Sequence, residues 1–197
     1  MKTICFLTRC HPARPNMQGV CIDSIKNQTC DDWQQILIQG AMRESDEFSR
    51  GDGTFAIEHG LTKPWSIDAR YVMVLDDDNM LVYVDFVKEF KELVEKENPD
   101  IVFFKGTIKG HGIYPPDRLW GKAPVGGCID WFNFAIRREM WVKYIAEIEA
   151  RPNALTKCND DLLIGMCYQN AKIISWFDQL ATTTQRGPGR SRPETAF

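Results

Sequence analysis

The chain has 197 residues, 44% hydrophobic and 26% charged, which suits one globular α/β domain with a sizeable buried core. Its formal net charge of −3 at pH 7 excludes a global basic field that would draw it to nucleic acid or anionic membranes. No stretch approaches the roughly 18 consecutive apolar residues of a membrane-spanning helix, and the first apolar run is too short for a signal peptide, so we expect a cytoplasmic protein.

The first part of the chain predicts a strand, a helix and a second strand. Thr3 to Thr8 is the first strand, Gly19 to Gln28 the helix and Trp33 to Gln39 the second strand. This order is the usual start of a parallel α/β sheet. The polar, glycine-rich segment from Gly40 to Gly60 then predicts a loop region.

A continuous apolar strand follows and ends in three aspartates. Tyr71 to Leu75 has no polar alternation, which indicates a strand buried on both faces, and it runs directly into Asp76-Asp77-Asp78. Apolar residues at helical spacing predict an amphipathic helix over Val84 to Glu97. Ile101 to Phe104 is the next buried strand.

The second half predicts a long loop, two more helices and two more strands. The glycine- and proline-rich stretch from Lys105 to Gly127 is interpreted as a functional loop. The remaining predicted elements are a strand at Asn133 to Arg137, helices at Glu139 to Ala150 and Asp160 to Asn170, and a last strand at Ile173 to Phe177. We therefore expect one domain over residues 1–185 and a flexible Arg-, Gly- and Pro-rich tail over 186–197.

The seven cysteines carry no metal-binding pattern. None of them forms a CxxC pair, which argues against a zinc ribbon. We expect mostly buried, reduced thiols, as in a cytosolic protein.

The three aspartates are the first candidate site. They lie at the carboxyl end of a buried strand, where open α/β sheets bind ligands. Alternate residues of an extended segment point the same way, so Asp76 and Asp78 are expected to converge and Asp77 to turn toward another partner. Mg²⁺ and Mn²⁺ take one or two protein carboxylates together with substrate phosphates. The alternative is a polar loop whose carboxylates cap the next helix or face water.

The order of several short motifs resembles family 2 of the GT-A glycosyltransferases. Asp76-Asp77-Asp78 resembles the DxD motif of these enzymes, and Ile4 to Arg9 is similar to their first strand and donor-nucleotide loop. Asp23 to Ile38 is similar to their S-[IL]-x-x-Q-T helix end and second strand, and Asn159 to Leu163 to their E-D motif. The resemblance implies a single GT-A (Rossmann-like) domain with a mainly parallel central sheet flanked by helices.

The resemblance also implies the roles of individual residues. A nucleotide-diphospho-sugar donor, with a UDP-sugar favoured, would contact Thr8 and Arg9 through its nucleobase or ribose. Asp78 would hold Mn²⁺ or Mg²⁺, with Asp76 as a second ligand or a ribose contact and Asp77 as a further donor residue. Asp161 would be the general base and Asp160 would stand in the place of the family's Glu, which implies inversion at the anomeric carbon. Acids in the first turn of a helix are also favoured by its dipole alone.

The acceptor side and the tail supply further candidates. Trp120, Asp130 and Trp131 lie in the segment where acceptor loops are expected, although packing alone also explains such aromatic residues. Arg186, with Arg190 and Arg192, could close over the diphosphate, or the tail could simply be solvated.

The sequence departs from the family at two places. Gln39-Gly40-Ala41-Met42 replaces an expected acidic motif, with Asp46 or Asp52 as substitutes, and no histidine follows Asp161 to complete a metal site.

Three other functions compete with glycosyl transfer. A sugar nucleotidyltransferase has a similar sheet and metal acids, but the loop after strand one lacks its glycines. A haloacid-dehalogenase-type phosphatase places its nucleophile after the first strand, whereas here at least two strands come before the aspartates. A non-catalytic nucleotide-binding module is the third. The acceptor hydroxyl is expected on a glycan or on a modified base in viral or phage DNA, the latter in the host cytoplasm and without support from the net charge.

Overall fold

The structure is a computed structural model and describes residues 1–10, 15–39, 67–150 and 159–185. Within these ranges the strands are β1 (Lys2–Cys10), β2 (Trp33–Gln39), β3 (Ala69–Val74), β4 (Asn79–Leu81), β5 (Ile101–Ile108), β6 (Gly112–Tyr114), β7 (Phe134–Arg137) and β8 (Ile174–Thr184). The α-helices are α1 (Pro15–Lys26), α2 (Phe86–Glu97), α3 (Arg138–Glu149) and α4 (Asn159–Asn170). Short 3₁₀ turns cover Asp117–Leu119 and Trp131–Asn133.

The described strands form one mixed sheet in the order β2-β1-β3-β7-β5-β8-β4, with β6 paired to β5. β1 lies between β2 and β3 and is parallel to both, and β5 is parallel to β8. β7 is inserted between β3 and β5 and is antiparallel to both. The predicted α/β domain is confirmed, but the sheet is mixed, because β4 and β6 are also antiparallel to their neighbours β8 and β5.

The sheet separates two hydrophobic cores. On one face, Leu7, Val74 and Phe103 pack with side chains of α3 and α4 such as Trp141 and Leu163. On the other face, Phe6, Met73 and Phe104 pack with α1 and α2. Neighbouring residues of β1, β3 and β5 therefore serve opposite cores, which explains why these strands have continuous apolar sequences.

Helix α2 shows how the local sequence sets an element. Its buried side chains Phe86, Val87, Phe90 and Val94 recur at helical spacing and form one face. The helix ends at Asn98, which has φ 49° and whose N–H donates to the carbonyl of Val94. Asn tolerates this left-handed conformation, and the following proline cannot continue the helix.

The predicted long loop from Lys105 to Gly127 is partly wrong. β5 continues to Ile108 and turns back into β6, so this part of the stretch is a hairpin. The glycines signal a tight connection here: Gly110 and Gly112 have φ of 87° and 85°, which side chains rarely adopt.

β4 and the second half of β8 were not predicted. β8 extends past Phe177 to Thr184, and its pairing with β5 shifts between Phe104 and Gly106. Asp178 and Gln179 lie in this bulge, and their polarity made the strand appear to end in the sequence. β4 has three residues, which is too short for a period to be recognised.

The remaining general expectations concern thiols and membranes. Six cysteines lie in the described ranges and are free, and Cys5, Cys10, Cys21 and Cys167 among them are buried. None of the helices in the described part of the chain has both the length and the apolar character to cross a bilayer.

Candidate functional site

The three aspartates form a tight turn at the carboxyl end of β3. The Leu75 N–H donates to the carbonyl of Leu7 and the Asp77 N–H to that of Arg9, which extends the pairing with β1. The Asn79 N–H then donates to the carbonyl of Asp76 at 2.9 Å, closing a four-residue turn into β4. The turn therefore lies where β1 and β3 both end.

Asp76 faces Arg9 in a bidentate ion pair. The Nε and Nη2 atoms of Arg9 each lie 2.5 Å from a different carboxylate oxygen of Asp76. The side chains are only 10% and 22% exposed, so water screens this pair less than a surface pair. The Arg9 guanidinium also lies 5.7 Å from the centre of the Trp131 ring, within cation–π range.

Asp77 is buried, and the expectation that its side chain turns toward a partner other than that of Asp76 stays a prediction. Only 2% of this residue is exposed. Burial and the negative charges of Asp77 and Asp76 raise the pKa of the Cys10 thiol to about 11. Cys10 therefore stays protonated near neutral pH and is a poor candidate for a nucleophile.

Gln185 holds the aspartate turn from the end of β8, a contact that the sequence did not indicate. Its N–H donates to the Asp78 carbonyl at 2.7 Å, and its Nε2 donates to the carbonyls of Asp77 at 3.1 Å and Met17 at 2.9 Å. The turn is thus fastened to β8 and to the first turn of α1. This role depends on the pairing of β8 with β4, which brings Gln185 beside Asp78 and cannot be read from the local sequence.

Thr8 is adjacent to the site but directed into the protein. Thr8 is fully buried, and its hydroxyl accepts a 2.9 Å hydrogen bond from Nε2 of Gln35 in β2. A donor contact for Thr8 remains a prediction.

Asp161 lies at the amino-terminal end of α4, against the loop before Trp131. A methyl group placed on Gly126 would lie 3.2 Å from Oδ2 of Asp161, so glycine permits this close approach. Asp160 belongs to the same first turn, but its side chain lies outside the described part of the structure.

The predicted acceptor residues have different surroundings. Asp130 caps the 3₁₀ turn, because its carboxylate accepts from the Trp131 N–H at 2.8 Å. Trp131 is 6% exposed and packs against Trp141 and Phe134. Asp130 therefore stabilises the turn through its hydrogen bond, and Trp131 through its ring contacts. Contacts of either residue with an acceptor stay predictions.

Trp120 is half-buried in a separate cluster. Its ring lies edge-on to Trp176 and 4.9 Å from Nζ of Lys105. That amine also contacts a carboxylate oxygen of Asp178 at 2.7 Å and one of Asp117 at 3.4 Å. Stacking on an acceptor remains a prediction for Trp120.

The loop before β7 brings the two acidic groups into one region. It contacts Asp161 at Gly126 and the Arg9–Asp76 pair at Trp131. The segment 126–131 spans at most about 18 Å when fully extended, and a common ligand for both groups stays a prediction. Arg186, Arg190, Arg192, Asp46 and Asp52 lie outside the described residues.

The candidate metal ligands among the described residues are the carboxylates of Asp76 and Asp78. The described ranges contain no group of three His, Cys, Asp or Glu side chains arranged around a cation position. Metal binding by Asp76 and Asp78 stays a prediction; Mg²⁺ or Mn²⁺ accepts one or two carboxylates when substrate phosphates complete the shell.

Comparison with known proteins connects the fold to nucleotide-sugar enzymes. No protein-family model and no curated protein sequence matches the chain. The structure of S. aureus TarS 1-349 in complex with UDP-GlcNAc matches all of this chain at 13% identity and a TM-score of 0.66. This chain spans 62% of the length of that structure, and other TarS structures include a complex with UDP.

Two further structures share the fold. A putative glucose-1-phosphate thymidylyltransferase from Bacillus anthracis matches 92% of this chain and 89% of its own, with 12% identity and a TM-score of 0.56. The glycosyltransferase GlyE of Streptococcus pneumoniae matches 90% of this chain and 45% of its own, with 9% identity and a TM-score of 0.51. The chain therefore has a GT-A-like glycosyltransferase fold, which a nucleotidyltransferase also shares.

Proposed function

We propose that the chain is a metal-dependent, inverting glycosyltransferase that moves a sugar from a nucleotide-diphospho-sugar to an acceptor hydroxyl. One observation carries the proposal: the segment 126–131 contacts Asp161 at one end and the Arg9–Asp76 pair at the other. This arrangement supports a model in which the diphosphate lies near Arg9 and Asp76 and the candidate base Asp161 lies across the same loop. The fold shared with a protein that binds UDP-GlcNAc supports a UDP-sugar as the donor.

In this mechanism each acidic residue has a separate task. The Asp161 carboxylate takes the acceptor hydroxyl proton while the oxygen forms its bond to the anomeric carbon. The bond from that carbon to the diphosphate breaks on the opposite side, and the nucleoside diphosphate leaves with the electron pair. Asp78, with Asp76, would hold a divalent ion whose chemistry is to neutralise charge on the diphosphate. Asp160 is proposed to act beside Asp161 in catalysis, and Asp77 is proposed to contribute to donor binding.

A thermal-shift screen of nucleotide-sugars with and without Mn²⁺ tests the donor and the metal. A ligand that binds only the folded state raises its melting temperature, and we expect a UDP-sugar to do so more strongly when Mn²⁺ is present. An absence of any metal-dependent shift over the whole panel would contradict metal dependence.

The variant Asp161→Asn tests the base. It removes the proton acceptor but keeps the shape of the side chain, so we expect donor affinity to persist and transfer to fall by about 100-fold or more. Binding is measured by calorimetry and transfer by release of UDP. Full activity would eliminate Asp161 as the base.

A sugar nucleotidyltransferase is the second candidate, because the thymidylyltransferase shares the fold over most of both chains. Against it, the chain at and just after the end of β1 reads Arg9-Cys10-His11-Pro12 and lacks glycines to surround a triphosphate. Release of pyrophosphate from a nucleoside triphosphate and a sugar 1-phosphate would favour this candidate over glycosyl transfer.

A further inference from the structure

The aspartate turn already has a cation of its own. Both carboxylate oxygens of Asp76 accept from Arg9, each at 2.5 Å. The guanidinium is largely sheltered and lies over the Trp131 ring. The guanidinium of Arg9 therefore uses both of the Asp76 oxygens that a divalent ion would need.

A guanidinium and a divalent ion compete for the same carboxylate oxygens. The planar fork of Arg uses both oxygens at once, so an ion that binds Asp76 must displace at least one of these hydrogen bonds. A sheltered cation that loses its carboxylate is unstable unless another anion replaces it.

The donor diphosphate is the anion best suited to replace Asp76. Phosphate oxygens match the same bidentate geometry as a carboxylate. The Trp131 ring gives the guanidinium a cation–π contact at the carboxyl end of β1 that does not depend on Asp76. Displacement of Arg9 from Asp76 by the ion would therefore make the guanidinium available to bind phosphate beside the ion.

We propose that Arg9 is an internal counter-cation that is paired with Asp76 until a divalent ion binds. Its side chain then changes partner and forms hydrogen bonds to the donor diphosphate. This inference rests on the proposed function. It assigns Arg9 a positioning and binding role that links metal binding to donor binding. Arg9 would weaken binding of the ion alone and strengthen binding of the diphosphate.

The variant Arg9→Met separates these two effects, because it removes the charge and keeps much of the apolar stem. With UDP absent, we expect Mn²⁺ to bind roughly tenfold more tightly, since a nearby positive charge is gone. With Mn²⁺ saturating, we expect UDP to bind roughly tenfold more weakly, since its Arg partner is lost. Loss of the free Mn²⁺ signal in electron paramagnetic resonance measures the first constant, and calorimetry the second.

A matched control removes the same charge elsewhere. Lys91 lies 2.9 Å from Asp32 at the surface, so Lys91→Met changes the net charge equally without touching the aspartate turn. We expect both constants to stay within about twofold in this variant, because exposed distant charges are screened. Thermal melts of each variant show that it is folded.

A double variant tests whether Arg9 and the ion compete for Asp76 itself. In an Asp76→Asn background, Arg9→Met should tighten Mn²⁺ binding much less than it does in the unchanged protein, because the contested oxygens are gone. Unchanged or weaker Mn²⁺ binding by a folded Arg9→Met single variant would overturn the inference.

The outcomes distinguish failure of this inference from failure of the proposed function. If Mn²⁺ binds neither the unchanged protein nor Arg9→Met, two proposals are wrong: the metal dependence, and the exchange of Arg9 from Asp76 to the diphosphate. If Mn²⁺ and UDP bind the unchanged protein but both constants worsen in Arg9→Met, the metal site stands and only the exchange is wrong.

Discussion

At the scale of single residues, the surroundings of the aspartates give each of them a different character. Asp76 is paired with Arg9, Asp77 is buried, and the backbone of Asp78 is held by Gln185. The sequence predicted the cluster at the end of a buried strand, and the convergence of Asp76 and Asp78 stays a prediction. It could not predict the ion pair, because that depends on the ends of β1 and β3 meeting in register.

Gly126 offers a test of how closely Asp161 must be placed. The variant Gly126→Ala would put a methyl group 3.2 Å from Oδ2 of Asp161, so the carboxylate must shift by a few tenths of an ångström. We expect transfer to slow by roughly tenfold while donor affinity and the melting temperature change little, because catalysis depends steeply on geometry. Rates of UDP release with a saturating donor measure this effect.

The control for this variant is Gly19→Ala in α1. An added methyl group there meets nothing within 4 Å, so the same chemical change should leave transfer unaltered. Equal rates for the two variants would show that Asp161 tolerates displacement or does not act as the base.

The surroundings of the predicted acceptor residues could not be read from the local sequence. An aromatic pair beside an acid, as in Asp130-Trp131-Phe132, suggests a sugar-stacking surface. In the structure Asp130 caps a turn, and Phe132 is buried against the opposite core. Burial of these rings depends on distant partners such as Trp141, which local sequence does not reveal.

At the scale of elements, β5 and β8 approach each other closely below the 3₁₀ turn that carries Trp131. A Cβ on Gly106 would lie 2.3 Å from Oγ1 of Thr182 and 2.6 Å from the Phe132 ring. The Thr182 hydroxyl donates to the Phe132 carbonyl at 3.1 Å, which fixes this contact. β5, β8 and the turn are therefore packed around a position that only glycine fits.

The variant Gly106→Ala should consequently destabilise the fold. Relief of the clash requires movement of the strand or of Phe132, and we expect a loss of roughly 1–3 kcal/mol in the free energy of unfolding. Urea unfolding measures it, with Gly165→Ala as the matched control. That helical position has nothing within 4 Å of an added Cβ, so its variant should be neutral or up to about 1 kcal/mol more stable. Equal stability of Gly106→Ala and the unchanged protein would contradict the packing described.

Elements with a strong period were predictable and those set by pairing were not. α2 has its apolar residues on one face, and its predicted end coincides with its observed one at Glu97. β8 continues through Asp178 and Gln179 because the bulge places them outside the ladder with β5, which no local pattern indicates. The insertion of β7 between β3 and β5 is likewise a property of the whole sheet.

At the scale of the whole molecule, the residue that follows β8 lies against the aspartate turn. Gln185 is bonded to Asp78, and Arg186 follows it directly in the sequence. The proposal that Arg186, Arg190 and Arg192 contact the diphosphate predicts that truncation after Gln185 weakens UDP binding by roughly tenfold. Calorimetry in the presence of Mn²⁺ measures this change.

A full-length variant with all three arginines replaced by glutamine serves as the comparison. If charge is the cause, this variant should lose as much UDP affinity as the truncated chain. Unchanged affinity after truncation would leave the tail without a role in donor binding.

The two-sided sheet has a practical consequence for measuring these affinities. Arg9, Trp131 and Asp76 lie toward the core that contains α3 and α4, whereas α2 covers the opposite core. Lys88 and Lys96 are exposed on α2. A biotin attached at either lysine would tether the protein to a sensor chip through α2, on the face of the sheet opposite Trp131 and its Arg9 contact.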